Sequence, residues 1–190
     1  MNTIKTTLIT EALFSDDGTK RYLLRKEWDR NKPQIAVIML APSSSSGIEL
    51  DTSTQLVINN VSRLGFGSVD ILNLSATLND FSLKQTKIED TENTDTILKS
   101  AKNADTIVYA AGVGKNKNKT FQQLQKNILN KLAKYENKLN CLANSDGNSK
   151  FQHPLSPSVR VWHLLPFKVN DLINDNNDEE IQQKKNSESK

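Results

Sequence analysis

The chain has 190 residues, enough for one domain with a sizeable core and short for two. Hydrophobic residues make up 36%, mean hydropathy is −0.57 and formal charge is +3, which describes a soluble, mildly basic protein. No run approaches the roughly 18 apolar residues of a membrane helix. Cys141 is alone and there are two histidines, so an internal disulfide, a zinc finger and a four-cysteine iron–sulfur cluster are excluded. The start, Met1 to Lys5, carries no apolar stretch or cleavage site of a signal peptide, and a cytoplasmic location is expected.

In chain order, residues 7–28 read as a β-hairpin. Thr7-Leu8-Ile9-Thr10 and Arg21-Tyr22-Leu23-Leu24 flank the turn cluster Ser15-Asp16-Asp17-Gly18. Pro33 precedes Ile35 to Leu40, an unbroken apolar run that suits a strand buried on both faces of a parallel sheet. Ser43 to Gly47 is a loop. A helix is predicted to begin near Asp51, whose carboxylate can cap free amides. It carries the stripe Val57, Val61 and Leu64 and ends at Gly65 or Gly67. Val69 to Leu74 is the next strand. A polar helix over about 92–103 leads to a strand at 106–110. Phe121, Leu124, Ile128 and Leu132 mark one face of a helix over roughly 118–134. Leu139 to Ala143 reads as a further strand, and Asn144 to Gly147 as a turn before His153-Pro154.

Strands alternating with helices predict an α/β fold. The expected architecture is a three-layer α/β/α arrangement around a central, mostly parallel sheet of about four strands, with the N-terminal hairpin added. Residues 1–170 are expected to form this single domain. From about Asp171 the chain is Asn, Asp, Glu, Gln, Lys and Ser, and residues 171–190 read as a disordered polar tail.

Ligands of open parallel sheets bind at the carboxyl ends of the strands. Four segments sit there: Leu40-Ala41-Pro42-Ser43, Ile71-Leu72-Asn73, Tyr109-Ala110-Ala111-Gly112 and His153-Pro154-Leu155-Ser156-Pro157. The amide of Asn73 offers a donor beside an acceptor, which matches a pyrimidine edge; it also reads as a turn or cap residue. A neutral His153 can donate to an oxygen that gains negative charge, or can be a loop histidine. His163 lies in an apolar run and reads as structural. Pro42 and Ser43 to Ser46 form a loop of hydroxyls and amides suited to phosphate, and also resemble a linker. Asp51 can orient a water or only cap its helix. Lys115, Lys117 and Lys119 can meet phosphates or start a solvated helix. Gly112-Val113-Gly114 lacks the third glycine of a dinucleotide fingerprint.

Together these segments resemble the motifs of the uracil-DNA glycosylase superfamily. Its pattern is a proline turn with the water-activating loop, a strand ending Leu-Leu-Asn that reads uracil, a strand ending Trp-Gly, and a His-Pro-Ser-Pro loop with the catalytic histidine. Ala41-Pro42-Ser43, Leu72-Asn73, Ala111-Gly112 and His153 to Pro157 stand at these places. A second bacterial family, with Leu-Asn-Pro-Ser near its start and His-Pro-Leu near its end, is more closely similar over about residues 20–160. The chain departs from the first pattern at Ala41, where many members hold Asp or Asn, at Ala111, where tryptophan is usual, and at Leu155, which interrupts the His-Pro-Ser-Pro motif.

The resemblance implies a DNA glycosylase that flips uracil from single- or double-stranded DNA and hydrolyses its N-glycosidic bond. Implied roles are His153 on the uracil anion, the Ala41 backbone or Asp51 on the water, and Asn73, Pro42 and Ser43 on the substrate. Gly112, Lys115, Pro154, Leu155 and Ser156 would meet DNA, with Leu155 as a wedge and Phe66, Phe81 or Trp28 as stacking partner. No metal or cofactor is implied, nor a membrane; the expected state is a monomer. The alternative is a non-catalytic DNA- or nucleotide-binding module on the same fold.

Overall fold

The computed structural model describes residues 1–44, 47–112 and 118–172. The hairpin is present as β1 (Ile9–Phe14) and β2 (Arg21–Glu27). Then come β3 (Gln34–Met39), α1 (Thr52–Arg63), β4 (Ser68–Asn73), α2 (Thr91–Asn103) and β5 (Thr106–Tyr109). They are followed by α3 (Lys119–Leu132), β6 (Leu139–Ala143) and β7 (His163–Pro166). Most of the predicted tail, residues 173–190, lies outside the described residues.

The helices start where short polar side chains can satisfy free backbone amides. Asp51 accepts from the Thr54 amide, Asp90 from that of Asn93, and Asn118 from that of Thr120. Apolar stripes then bind them to the sheet: Val57 and Val61 on α1, Ile97 and Ala101 on α2, and Phe121, Leu124, Ile128 and Leu132 on α3.

The α/β class is as expected, but the sheet is larger and less parallel than the reading of about four strands. It has seven strands in the order β1-β2-β4-β3-β5-β6-β7. Strands β4, β3, β5 and β6 run parallel, and β1, β2 and β7 add antiparallel pairs at the two edges. The hairpin is not an appendage, because β2 forms a ladder with β4 from Leu24↔Ile71 to Glu27↔Ser68. The apolar run at 161–165 supplies β7, where His163 is exposed opposite Ala143.

Residues alternate between two cores because successive strand side chains point to opposite faces. Ile35, Val37 and Met39 pack with Val57 and Val61 of α1. Ala36 and Ile38 pack with Ile97 of α2 and Leu124 of α3. One helix therefore covers one face and two cover the other. The reason lies in the connections. From β3 the chain steps one way to β4, then returns past β3 to β5 and on to β6. Right-handed crossovers in opposite directions put their helices on opposite faces.

One buried acid ties this frame together. Asp70, in the middle of β4, accepts from Arg25 Nε at 2.7 Å and Nη2 at 2.9 Å. It also accepts from Gln34 Nε2 at 2.9 Å and Ser100 Oγ at 2.6 Å. These partners come from β2, β3 and α2, so a single carboxylate links four elements.

Candidate functional site

A strand order that reverses around β3 leaves a crevice at the carboxyl ends, between the neighbours the chain visits in opposite directions. A cleft of about 290 Å³ opens there. Met39, Leu40, Ala41 and Ser43, from the end of β3 and its loop, form one wall. Asp51, Thr52 and Ser53 bring the N-terminus of α1. His153 and Leu155 come from the loop after β6, Phe81 from the segment after β4, and Arg21 from β2. The volume is at the small end of the roughly 300–1,000 Å³ usual for small-molecule sites, which suits a single ring more than a dinucleotide.

Asp51 is both cap and site residue. Its Oδ1 accepts from the Thr54 amide at 2.9 Å, and its Oδ2 from Thr54 Oγ1 at 3.0 Å and Ser43 Oγ at 2.5 Å. The hydroxyl of Ser43 thereby ties the serine loop to the start of α1. In the same cleft, His153 Nδ1 accepts the Leu155 amide at 3.2 Å. An accepting Nδ1 carries no proton, so the neutral ring holds its proton on Nε2. Burial pushes the imidazole below its ordinary value, against the opposing pull of the Asp51 charge. The ring is therefore neutral at pH 7.

Arg21 reaches the cleft through a bulge. On β1, Leu13 faces Leu23 and the next residue, Phe14, faces Arg21, so Tyr22 is the extra residue on β2. Three positions apart, Leu24 and Arg21 would normally face opposite ways. The bulge shifts the alternation: Leu24 packs in the same core as Met39, while Arg21 and Met39 both line the cleft. Only 2% of Arg21 is exposed. Its Nη1 contacts the Ser43 carbonyl at 3.5 Å.

Of the residues singled out from sequence, the structure brings Ala41, Ser43, Asp51, His153 and Leu155 into the cleft wall. Asn73 is not in that wall. It ends β4 opposite Met39, which is, and the two share a face of the sheet. Its side chain is buried and its Nδ2 has no hydrogen-bond partner among the described residues. Pro42 is buried behind the loop, its carbonyl accepting the Asn79 amide at 2.8 Å. Gly112, at φ +89°, lies against His153: a Cβ there would come within 3.8 Å of the histidine Cβ. Pro154 is buried. Ser156 bonds to Gln152 and Ser158 in the same loop. Lys115 and Lys117 lie outside the described residues.

Of the three aromatics considered, Phe81 stands at the cleft, 58% exposed. Trp28 and Phe66 pack away from it, the indole N–H donating to the Phe66 carbonyl at 3.1 Å. Arg21 was not foreseen. A charged residue opening the run Arg21-Tyr22-Leu23-Leu24 was the available signal, but the bulge that aims it is invisible in the sequence.

Among the described residues, no group of three or more His, Cys, Asp or Glu could hold a metal ion. Nor is any described helix long and apolar enough to cross a membrane. Fold and site define an open, doubly wound α/β protein with a small cleft at its switch point. The chain belongs to the DUF1643 family, described as proteins of unknown function, whose model matches residues 21–155. Neither the curated proteins nor the solved structures include a match.

Proposed function

We propose that this protein is a DNA glycosylase that extrudes uracil from DNA and hydrolyses its N-glycosidic bond. The observation that carries the reading is the neutral His153, in the cleft wall with its proton on Nε2, in a cavity sized for one ring. Bond cleavage puts negative charge on the uracil oxygens and positive charge on the sugar. A pre-aimed N–H donor stabilises the first, and the Asp51 carboxylate lies in the same cleft for the second.

Asn73 reads the base. For a base that reaches past Met39, the Asn73 Nδ2 donates to the uracil carbonyl and its Oδ1 accepts the ring N–H, which satisfies a buried donor with no partner among the described residues. Cytosine offers the wrong donor at that edge. Phe81 stacks on the extruded ring. Leu155, 43% exposed on the cleft rim, fills the space left in the duplex. Gly112, Pro154, Ser156, Ser43 and Lys115 meet the strand. With both Asp51 oxygens engaged by Ser43 and Thr54, the acid orients the attacking water with the Ala41 backbone rather than taking its proton. The enzyme acts as a monomer in the cytoplasm.

The test is release of free uracil from a uracil-containing oligonucleotide by the purified protein. Asn73→Ala is expected to abolish release, with circular dichroism unchanged. Release by Asn73→Ala equal to that of wild type removes the amide from base reading. A second reading is favoured by Ala41, which offers no side-chain group to hold a water: a module that holds DNA without cutting it. Salt-sensitive DNA binding with no base released from any damaged substrate would select it.

A further inference from the structure

We infer that the chain pairs with a second copy of itself along the outer edge of β1, antiparallel and in one register, with Leu8 on the two-fold axis. The inference stands apart from the glycosylase reading. The cleft is lined by residues of a single chain, so one copy remains the acting unit within the pair.

Strand β1 ends the sheet. An edge strand turns every second N–H and C=O away from its neighbour, where another strand can bond them. This edge continues beyond β1. Residues 1–8 lead into it, are exposed throughout and pair with no described strand. From Thr3 to Thr10 every residue except Lys5 and Leu8 is β-branched, the type that favours extended chain. Apolar side chains stay open along the same stretch: Leu8 is 47% exposed, Ile9 43% and Leu13 44%.

The sequence selects the occupant. Lys5 and Glu11 are the only charged side chains in residues 1–14, and they stand symmetrically about Leu8. In an antiparallel pair centred on Leu8, Lys5 of each copy meets Glu11 of the other. Thr6 likewise meets Thr10, and Leu8 meets its own counterpart. Opposite charges and threonine pairs are favourable cross-strand neighbours. Only this register sets the two charges directly opposite; centring on Glu11 would set like charges together. The pairing runs from Thr3 to Leu13 and stops short of the irregularity between Leu13 and Phe14. Glu11 has room for the second cation. Its side chain is 64% exposed, and it lies 3.8 Å from Arg25 Nη1, while the Nε and Nη2 of that arginine serve Asp70. A two-fold pairing uses up the edge of both copies, so it closes at two chains.

The experiment is sedimentation equilibrium of the full chain. A pairing this small belongs with weak interfaces, so the mass should rise from 21.3 kDa toward twice that across roughly 10–500 µM. Lys5→Glu, which lies outside every strand, should raise the dimer Kd at least about tenfold, because the two-fold axis doubles the loss. Glu11→Lys should do the same. An equimolar mixture of the two variants should regain the dimer, since each introduced charge then faces its opposite. Hydrogen exchange of concentrated wild type should slow over residues 3–10. A one-chain mass throughout that range, an unchanged Kd in Lys5→Glu, masses beyond two chains, or a dimer in which residues 3–10 exchange as fast as in the monomer overturns the pairing. Should Glu11→Lys fail to fold, Lys5→Glu and the exchange rates decide the matter alone.

Discussion

His153→Ala is expected to lower uracil release by roughly 10²–10³-fold, the usual cost of removing one preorganised donor to a developing oxyanion. The loss should fall on kcat, because the hydrogen bond strengthens only as charge reaches the uracil oxygen. The fold should survive. Among the described residues, the ring's one hydrogen bond is to the Leu155 amide of its own loop, which water can replace. Circular dichroism and single-turnover kinetics on the same preparations separate the two effects. A variant that releases uracil at the wild-type rate removes His153 from the chemistry.

The same histidine sets an acid limit. Its folded-state pKa lies below the ordinary 6.5, because burial disfavours the imidazolium more than Asp51 favours it. Release should therefore stay level as pH falls through 6.5 and decline only further down. Stability follows the same sign. The neutral form is the folded form, so its contribution is complete above the unfolded-state value and is lost as pH falls. His153→Gln should flatten that part of the stability profile. An identical acid slope in wild type and His153→Gln assigns it to other groups.

Asp70→Ala carries the largest expected cost to stability, about 3–5 kcal/mol. Removing the carboxylate leaves the Arg25 guanidinium without its bidentate partner and deprives Gln34 and Ser100 of an acceptor. In a chain of this size such a loss lowers Tm by roughly 6–20 °C. Asp70→Asn, which keeps the shape and one acceptor oxygen, should cost less. Urea unfolding of both variants checks the order. If Asp70→Ala unfolds at the wild-type midpoint, the four-element tie has no energetic weight. The prediction belongs to function as well, because this residue fixes β2 against β4, and β2 carries Arg21 into the cleft.

Asp51 was legible as a helix cap from its place before an apolar stripe, and the structure has it capping α1. The fold then also puts it in one cleft with His153, which no local pattern contains. The run Ile35 to Leu40 announced a strand buried on both faces, and it is the middle strand of the parallel set. The run at 161–165 gave no comparable signal of its partner, because whether four residues pair at an edge depends on what β6 leaves open. Asn73 marks the limit from the other side. Its strand end was correctly located, yet its side chain lies next to Met39 rather than in the wall of the cleft.

By itself the sequence determined the local elements and their order, since caps, turns and apolar periodicity act over a few residues and need no distant partner. It also determined that the carboxyl ends of successive strands carry polar, glycine and histidine residues. Only the tertiary structure decided that the hairpin joins the main sheet through the β2–β4 ladder, that β7 closes the other edge, and that one extra residue at Tyr22 turns Arg21 into the cleft. Strand pairing and register are set by contacts between segments far apart in the chain, and a one-residue shift moves a side chain from one face to the other. That shift puts a buried guanidinium in the same small cavity as Asp51 and His153.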